Sequence, residues 1–274
     1  MTNLKNNSSL NDNVIVVTGG TGVLGEAFIN GIARAGGKVG ILGRNEKVAA
    51  ERAAKINNDG GSAIALIADV TDARQLSDSC EKILSAFGKI NGLVNAAGGN
   101  MPEAMLQPEQ DIFQLNMDAL QKVMHLNLFG SLIPTQIFGQ AIKNNGRGSI
   151  VNISSMASQL AITKVLGYSL AKAAIECYTR WFSVELAKRY GDKIRMNAIA
   201  PGFFLTEQNR RLLTTEDGNL TERGKLVINK TPFNRFGDPE ELVGSLVWLL
   251  SDASKFVTGS VTTVDGGFSV FSGV

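Results

Sequence analysis

Tyr168 and Lys172 lie four residues apart in a stretch of helical periodicity, so their side chains share one helix face. A phenol with an ordinary pKa of about 10 gives up and takes protons sluggishly near neutral pH. A neighbouring ammonium favours the phenolate and lowers that value. Ser155 stands 13 residues upstream, just past an apolar run that ends at Ile153. Its hydroxyl beside the tyrosine's would hold a carbonyl oxygen while a proton moves. Ser154 offers the same group one residue earlier, and either hydroxyl could instead cap a following helix. The chemistry these residues suit is general acid/base work at a carbonyl or alcohol oxygen.

A second set of residues suits an anion. Residues 18–25 read TGGTGVLG and follow the first apolar run. Gly19, Gly22 and Gly25 provide a tight turn, close backbone approach and close helix packing, and the helix that follows presents free N–H groups. The structural alternative is a plain strand-to-helix turn. The second strand ends in Gly43 and Arg44, where many NAD-binding folds place an acid for the ribose hydroxyl. A guanidinium there suits a 2′-phosphate, which favours NADP(H) over NAD(H).

These groups need a scaffold, and the pattern supplies one. Short apolar runs at 14–17, 39–42, 63–67, 92–95, 149–153, 193–199 and 260–264 alternate with helical stretches at 24–35, 46–57, 73–87, a long one ending near 143, 163–189 and 240–250. Strands alternating with long helices predict right-handed βαβ units. The expected fold is α/β, a single doubly wound Rossmann-type domain with a parallel sheet of about seven strands and helices on both faces. Residues 1–12 are polar and are expected to form a flexible tail. The domain is expected to span 13–274, with a charged lid at 203–235 over the strand ends.

Composition removes other classes. Lys plus Arg number 27 against 25 acids, a net charge of +2, which is no electrostatic footprint for nucleic acid or an anionic membrane. No apolar run approaches the length of a membrane span. One histidine, His125, and two scattered cysteines, Cys80 and Cys177, match no zinc spacing, so no metal is expected. The cysteines suit a reducing compartment, and a cytoplasmic location is expected. His125 reads as a solvated or packing residue, and Trp181 and Phe182 as core or subunit contacts.

The motifs together resemble the short-chain dehydrogenase/reductase family over residues 10–267. They are the 18–25 loop, Asp69 with Val70, NAAG at 95–98, Asn127, the Ser155/Tyr168/Lys172 set and NAIAPG at 197–202. The resemblance implies that Tyr168 is the general acid/base, and that Lys172 lowers its pKa and binds the nicotinamide ribose. Ser155 would orient the carbonyl and Asn127 would support a proton-relay water. Asn95 would steady the central strand, Asp69 and Val70 would border the adenine, and Thr206 would touch the carboxamide or pyrophosphate. Thr21, Val23, Leu24, Asn45, Ala96, Ala97, Gly98, Pro201, Gly202 and Phe204 complete the expected cofactor contacts. Val23 departs from the family pattern, which has glycine there. The family also implies a homo-oligomer, a tetramer.

For substrate, Glu207, Gln208, Asn209 and Arg210 form a dense polar set in the insert, with Asn100 on the opposite lip. Glu and amide groups suit sugar hydroxyls and arginine suits a carboxylate. The stretch also resembles the D-mannonate oxidoreductase (fructuronate reductase) branch, which implies interconversion of D-fructuronate and D-mannonate. A solvated lid helix is the plainer reading of the same charges. A 3-oxoacyl-thioester or other apolar ketone reductase is the main alternative. A non-catalytic dinucleotide sensor would be expected to have lost the Ser/Tyr/Lys set, which is intact here.

Overall fold

The computed structural model describes residues 8–206 and 209–273. Seven strands form one parallel sheet: β1 (Val14–Thr18), β2 (Lys38–Gly43), β3 (Ser62–Ile67), β4 (Gly92–Asn95), β5 (Gly148–Ile153), β6 (Ile194–Pro201) and β7 (Val261–Val264). Their order is β3-β2-β1-β4-β5-β6-β7. The chain leaves β1 toward β2 on one side and returns through β4 on the other. That reversal opens a crevice at the carboxyl ends of β1 and β4, where ligands bind in doubly wound sheets.

The strands are apolar on both faces because helices cover both. Ile15, Val17, Val39 and Ile41 face α1 (Val23–Arg34), α2 (Glu46–Asn58) and α9 (Val243–Leu250), meeting Phe28, Ile32, Ala53 and Leu246. Val14, Val16, Leu42 and Leu66 point the other way, onto Ile83 of α3 (Ala73–Phe87) and, further along the sheet, Phe138 of α5 (Gly130–Asn145) and Leu186 of α6 (Leu166–Tyr190) join the same cluster. This period-two division of β1 between two cores is what a doubly covered parallel strand requires.

The long helix expected to end near residue 143 is interrupted. α4 (Met117–Met124) passes through a π-helical turn, His125–Phe129, before α5 begins. Asn127 Nδ2 donates to the Val123 carbonyl at 2.8 Å, competing with the backbone for that acceptor. α6 begins at Leu166 rather than 163. Residues 203–235, expected to form a lid, contain among the described residues two short helices, α7 (Arg210–Leu213) and α8 (Glu222–Lys230).

The packed chain also begins before residue 13. Leu10 is fully buried in the core and its N–H donates to the Ala35 carbonyl at 2.9 Å. The tail expected over 1–12 therefore ends earlier, and residues 1–7 of it lie outside the described residues. Phe182 packs on the core with Tyr178, whereas Trp181 is 62% exposed, so the core reading fails for the tryptophan. Among the described residues, no helix is long and apolar enough to cross a membrane, and no cluster of metal-ligating side chains occurs.

Candidate active site

The glycine loop links β1 to α1 and its glycines differ in purpose. Gly19 has φ +66°, and a Cβ there would meet the Ala97 nitrogen at 2.8 Å. A Cβ on Gly25 would strike the Gly19 carbonyl oxygen at 2.1 Å, so this glycine lets α1 dock on the turn. A Cβ on Gly22 would meet only that same oxygen, at 3.4 Å, so its outer side is open to a ligand. Gly22 is the N-cap of α1 with no side-chain cap, leaving the helix's first N–H groups to an anion. Thr18 ties this loop to the next one: its Oγ1 accepts from the Ala96 and Ala97 N–H groups, both at 3.1 Å.

Two adjoining cavities open at the strand ends. The first, about 610 Å³, is lined by the glycine loop, Arg44, Asp69, Val70, residues 96–99 and Lys172. The second, about 220 Å³, is lined by Asn100, Ser155, Phe203, Asn209 and Arg223 among a largely apolar wall. Tyr168 lines both, as do Leu24, Ile153 and Thr206. Ser155 lies close enough to the Tyr168 hydroxyl to lower its pKa and accepts from the Ala157 N–H at 3.2 Å, so it caps a short turn and faces the site at once. Ser154 does not compete for the role. It is buried and its Oγ donates to Glu176 Oε1 at 3.0 Å. The Lys172 ammonium is buried, donates to the Ile153 carbonyl at 2.7 Å and lies 5.4 Å from the Tyr168 ring centre.

Known proteins resemble this chain in sequence and fold. The family model described as enoyl-(acyl carrier protein) reductase matches residues 22–269. The uncharacterised oxidoreductase UxuB of Bacillus subtilis is 41% identical over 268 residues, covering 94% of this chain and 95% of the relative. This chain belongs to the short-chain dehydrogenase/reductase family. A solved structure from Haemophilus influenzae, named as a D-mannonate oxidoreductase and holding NAD, superposes with a TM-score of 0.89 at 38% identity, covering 99% of this chain and all of that one. A gluconate 5-dehydrogenase from Burkholderia cenocepacia, in complex with NADP and tartrate, gives 0.87 at 29% identity, with 98% and 100% coverage. As a member of this family the chain is an oxidoreductase acting on CH–OH groups.

Within that family frame, the expected residues fall into three groups. Gly19, Thr21, Gly22, Val23, Leu24, Gly25, Arg44, Asp69, Val70, Ala96, Ala97, Gly98, Tyr168, Lys172 and Thr206 line the larger cavity. Pro201, Gly202, Phe204, Asn100 and Asn209 line the smaller one. The rest are tied up elsewhere. Asn45 caps α2 through the Val48 N–H, and Arg210 is exposed and lines neither cavity. Asn95 is buried, donating to Thr135 Oγ1 at 2.9 Å and Asn152 Oδ1 at 2.8 Å, which joins β4 to β5 and α5. Asn127 donates to the Gly99 carbonyl and accepts from its N–H, so it pins the loop after β4. Asn209 spends its amide on its own loop, accepting from Thr206 N–H and donating to the Phe204 carbonyl, both at 2.8 Å. Glu207 and Gln208 lie outside the described residues. His125 is exposed and stacks on Phe129, with centroids 5.2 Å apart.

Two residues that motif reading passes over brace the site. Arg52 on α2 donates to the Gly20 and Gly22 carbonyls at 2.7 and 2.8 Å and to Glu26 at 2.7 Å, clamping the glycine loop from outside. Glu176, one helical turn past Lys172, is 3% exposed. It accepts from Ser154, Ser158 and Gln159 and pairs with Arg180 at 2.8 Å, so it fastens the Ser155 loop to α6. A carboxyl at helical spacing from Tyr168 and Lys172 was the available signal. Glu176→Ala leaves these donors without their acceptor and is expected to cost about 1–3 kcal/mol in urea unfolding. It is also expected to lower kcat at least about tenfold, with Glu176→Gln recovering most of it. Unchanged kcat in Glu176→Ala would show that the Ser155 loop holds its place without the clamp.

The electrostatics differ in one respect from the expectation that Lys172 depresses the Tyr168 pKa. Burial raises the phenol above its ordinary value, the Ser155 hydrogen bond opposes this, and the lysine is not among the causes. Burial lowers Lys172 itself to about 8 from 10.5. Between those two values the unfolded lysine holds a proton that the folded one has lost, so stability from this group rises with pH across that window. Wild-type stability measured by urea unfolding is therefore expected to gain on Lys172→Met between pH 8 and 10.5, and a constant difference would contradict the burial account.

Proposed function

We propose that this oxidoreductase uses a nicotinamide dinucleotide, with NADP(H) favoured, to interconvert a ketone and a secondary alcohol on a sugar acid of the D-fructuronate/D-mannonate type. The observation that carries the reading is Tyr168 lining both cavities, with Ser155 beside it in the smaller one. One residue then lines a cavity that holds the glycine loop and a smaller, largely apolar cavity together.

The larger cavity fits such a cofactor. Its glycine cradle and uncapped helix start suit a pyrophosphate, and Lys172 suits a ribose hydroxyl. When bound there, the dinucleotide supplies or accepts the hydride. The chain's own residues do the rest. Ser155 donates toward the substrate oxygen and orients it beside Tyr168. In the reducing direction Tyr168, kept protonated by its raised pKa, gives its proton to that oxygen. In the oxidising direction it takes one as the phenolate, a state that its raised pKa makes scarcer near neutral pH. Asn127 holds the Gly99 backbone, and so the cavity wall, in register.

The cofactor preference rests on Arg44 and Gly43. Arg44 is 77% exposed, and its partner Asp69 stands 3.7 Å away. Burial pushes the Asp69 carboxyl up, but hydrogen bonds from Thr71 and the Arg44 charge outweigh it, so it lies below its ordinary value. A Cβ on Gly43 would meet Thr21 Oγ1 at 2.6 Å, so an acidic side chain at that position would have to displace Thr21. The sugar-acid reading is supported by relatives named for D-mannonate and gluconate. The apolar walls of the smaller cavity favour the second reading, an acyl-thioester or other apolar ketone.

Both points are open to steady-state kinetics. NADPH is expected to give the higher kcat/KM, and Arg44→Ala to lower it at least about tenfold while changing NADH little. Equal or better use of NADH by the wild type would overturn the Arg44 argument. In a panel of hexuronates, hexuloses, pentuloses and β-ketoesters, the hexuronates are expected to lead. Preference for the β-ketoesters would replace the sugar-acid reading with the apolar one.

A further inference from the structure

We infer that Arg223 is the substrate's carboxylate-binding residue, so that the lid selects acids over neutral compounds of the same skeleton. This rests on the sugar-acid reading for the skeleton, but on independent observations for the charge.

Arg223 sits in the first turn of α8 and lines the smaller cavity with Ser155 and Tyr168. It is the only charged side chain among the described residues that line it. The remaining wall is largely apolar, with Met105, Ile162, Phe203 and Leu212. Arg223 is half-buried, so an anion reaching it from the cavity is screened less than one paired on the open surface. Its own protein partners are weak. NH1 donates to Thr163 Oγ1 at 3.2 Å and NH2 to the Thr163 carbonyl at 3.3 Å, both neutral and both long. Among the described residues no carboxylate lies within 4 Å of it, whereas the nearby Glu222 is paired with Lys225. Five N–H donors in a fixed fork, two of them held loosely on one residue, leave capacity for a bidentate carboxylate.

The threonine contacts also aim the fork. Thr163 belongs to the loop that leads into Tyr168, where Lys164 is held at φ +75° and its carbonyl accepts from the Leu106 N–H at 3.0 Å. The Arg223 head is thereby tied to the loop that leads into the helix of the acid/base residue. A substrate anchored on Arg223 would have its carbonyl carbon registered against Tyr168 through one short stretch of chain. Arg210, expected from sequence to fill this role, faces solvent instead.

The test is binding to the NADPH-loaded protein, where an alcohol forms a dead-end complex without turnover. Calorimetry with two acid/neutral pairs, D-mannonate with mannitol and 3-hydroxybutyrate with 2-butanol, is run on the wild type, Arg223→Met and Arg223→Lys. The wild type is expected to bind an acid at least about tenfold more tightly than its neutral partner. Arg223→Met should lose that margin while binding the neutral compounds and NADPH as before, and Arg223→Lys should keep part of it. Retention of the full margin in Arg223→Met, or no margin for either pair in the wild type, overturns the inference. A margin for 3-hydroxybutyrate alone, lost in Arg223→Met, upholds Arg223 and removes the sugar skeleton.

Discussion

The site depends on a single buried contact, the Lys172 ammonium against the Ile153 carbonyl. It ties the middle of the first turns of α6 to the last residue of β5. Neither partner is optional: the ammonium would otherwise be an unpaired charge in a protein interior, and the carbonyl an unpaired acceptor at a strand end. Because Tyr168 is one turn before Lys172 and Ser155 is two residues past Ile153, this bond brings the phenol and the hydroxyl together. Glu176, one turn further along, fastens the remainder of the same loop to the same helix. The proposed acid/base group is thus the product of one helix docked on one strand end at two points.

The second half of the site is built by the sheet reversal between β1 and β4. Thr18 closes that gap by accepting from the two amides that follow Asn95, and Arg52 closes the glycine loop from the outside. Val23, the position that departs from the family pattern, opens α1 and still lines the cavity. The close approach that a glycine would allow there is provided instead at Gly22, whose outer side is free. The glycine cradle and the proposed acid/base residues therefore share Tyr168, where the two cavities meet.

Much of this was legible in the chain. The alternation of apolar runs and helical stretches placed all seven strands, and 73–87 and 92–95 coincide with α3 and β4, because a doubly covered parallel strand and an amphipathic helix leave distinct periods. The structure brings Tyr168, Lys172 and Ser155 together, as their spacing along the chain suggests. What was not legible depends on long-range contacts. The π turn at Asn127 arises from a side chain bonding its own helix and a distant loop, which leaves no periodic trace. Arg52 acts across 30 residues on backbone carbonyls, which have no sequence signature. Arg210 and Arg223 look alike on paper, and only the packing of α7 and α8 decides which faces the cavity.

The central claim is that Tyr168 moves the proton while the dinucleotide cavity stands independently of it. It is tested most directly by measuring turnover and NADPH binding together in Tyr168→Phe. The account predicts that kcat falls by at least about a hundredfold, while NADPH affinity from fluorescence titration stays within a few-fold of wild type. Near-wild-type turnover in Tyr168→Phe would contradict it.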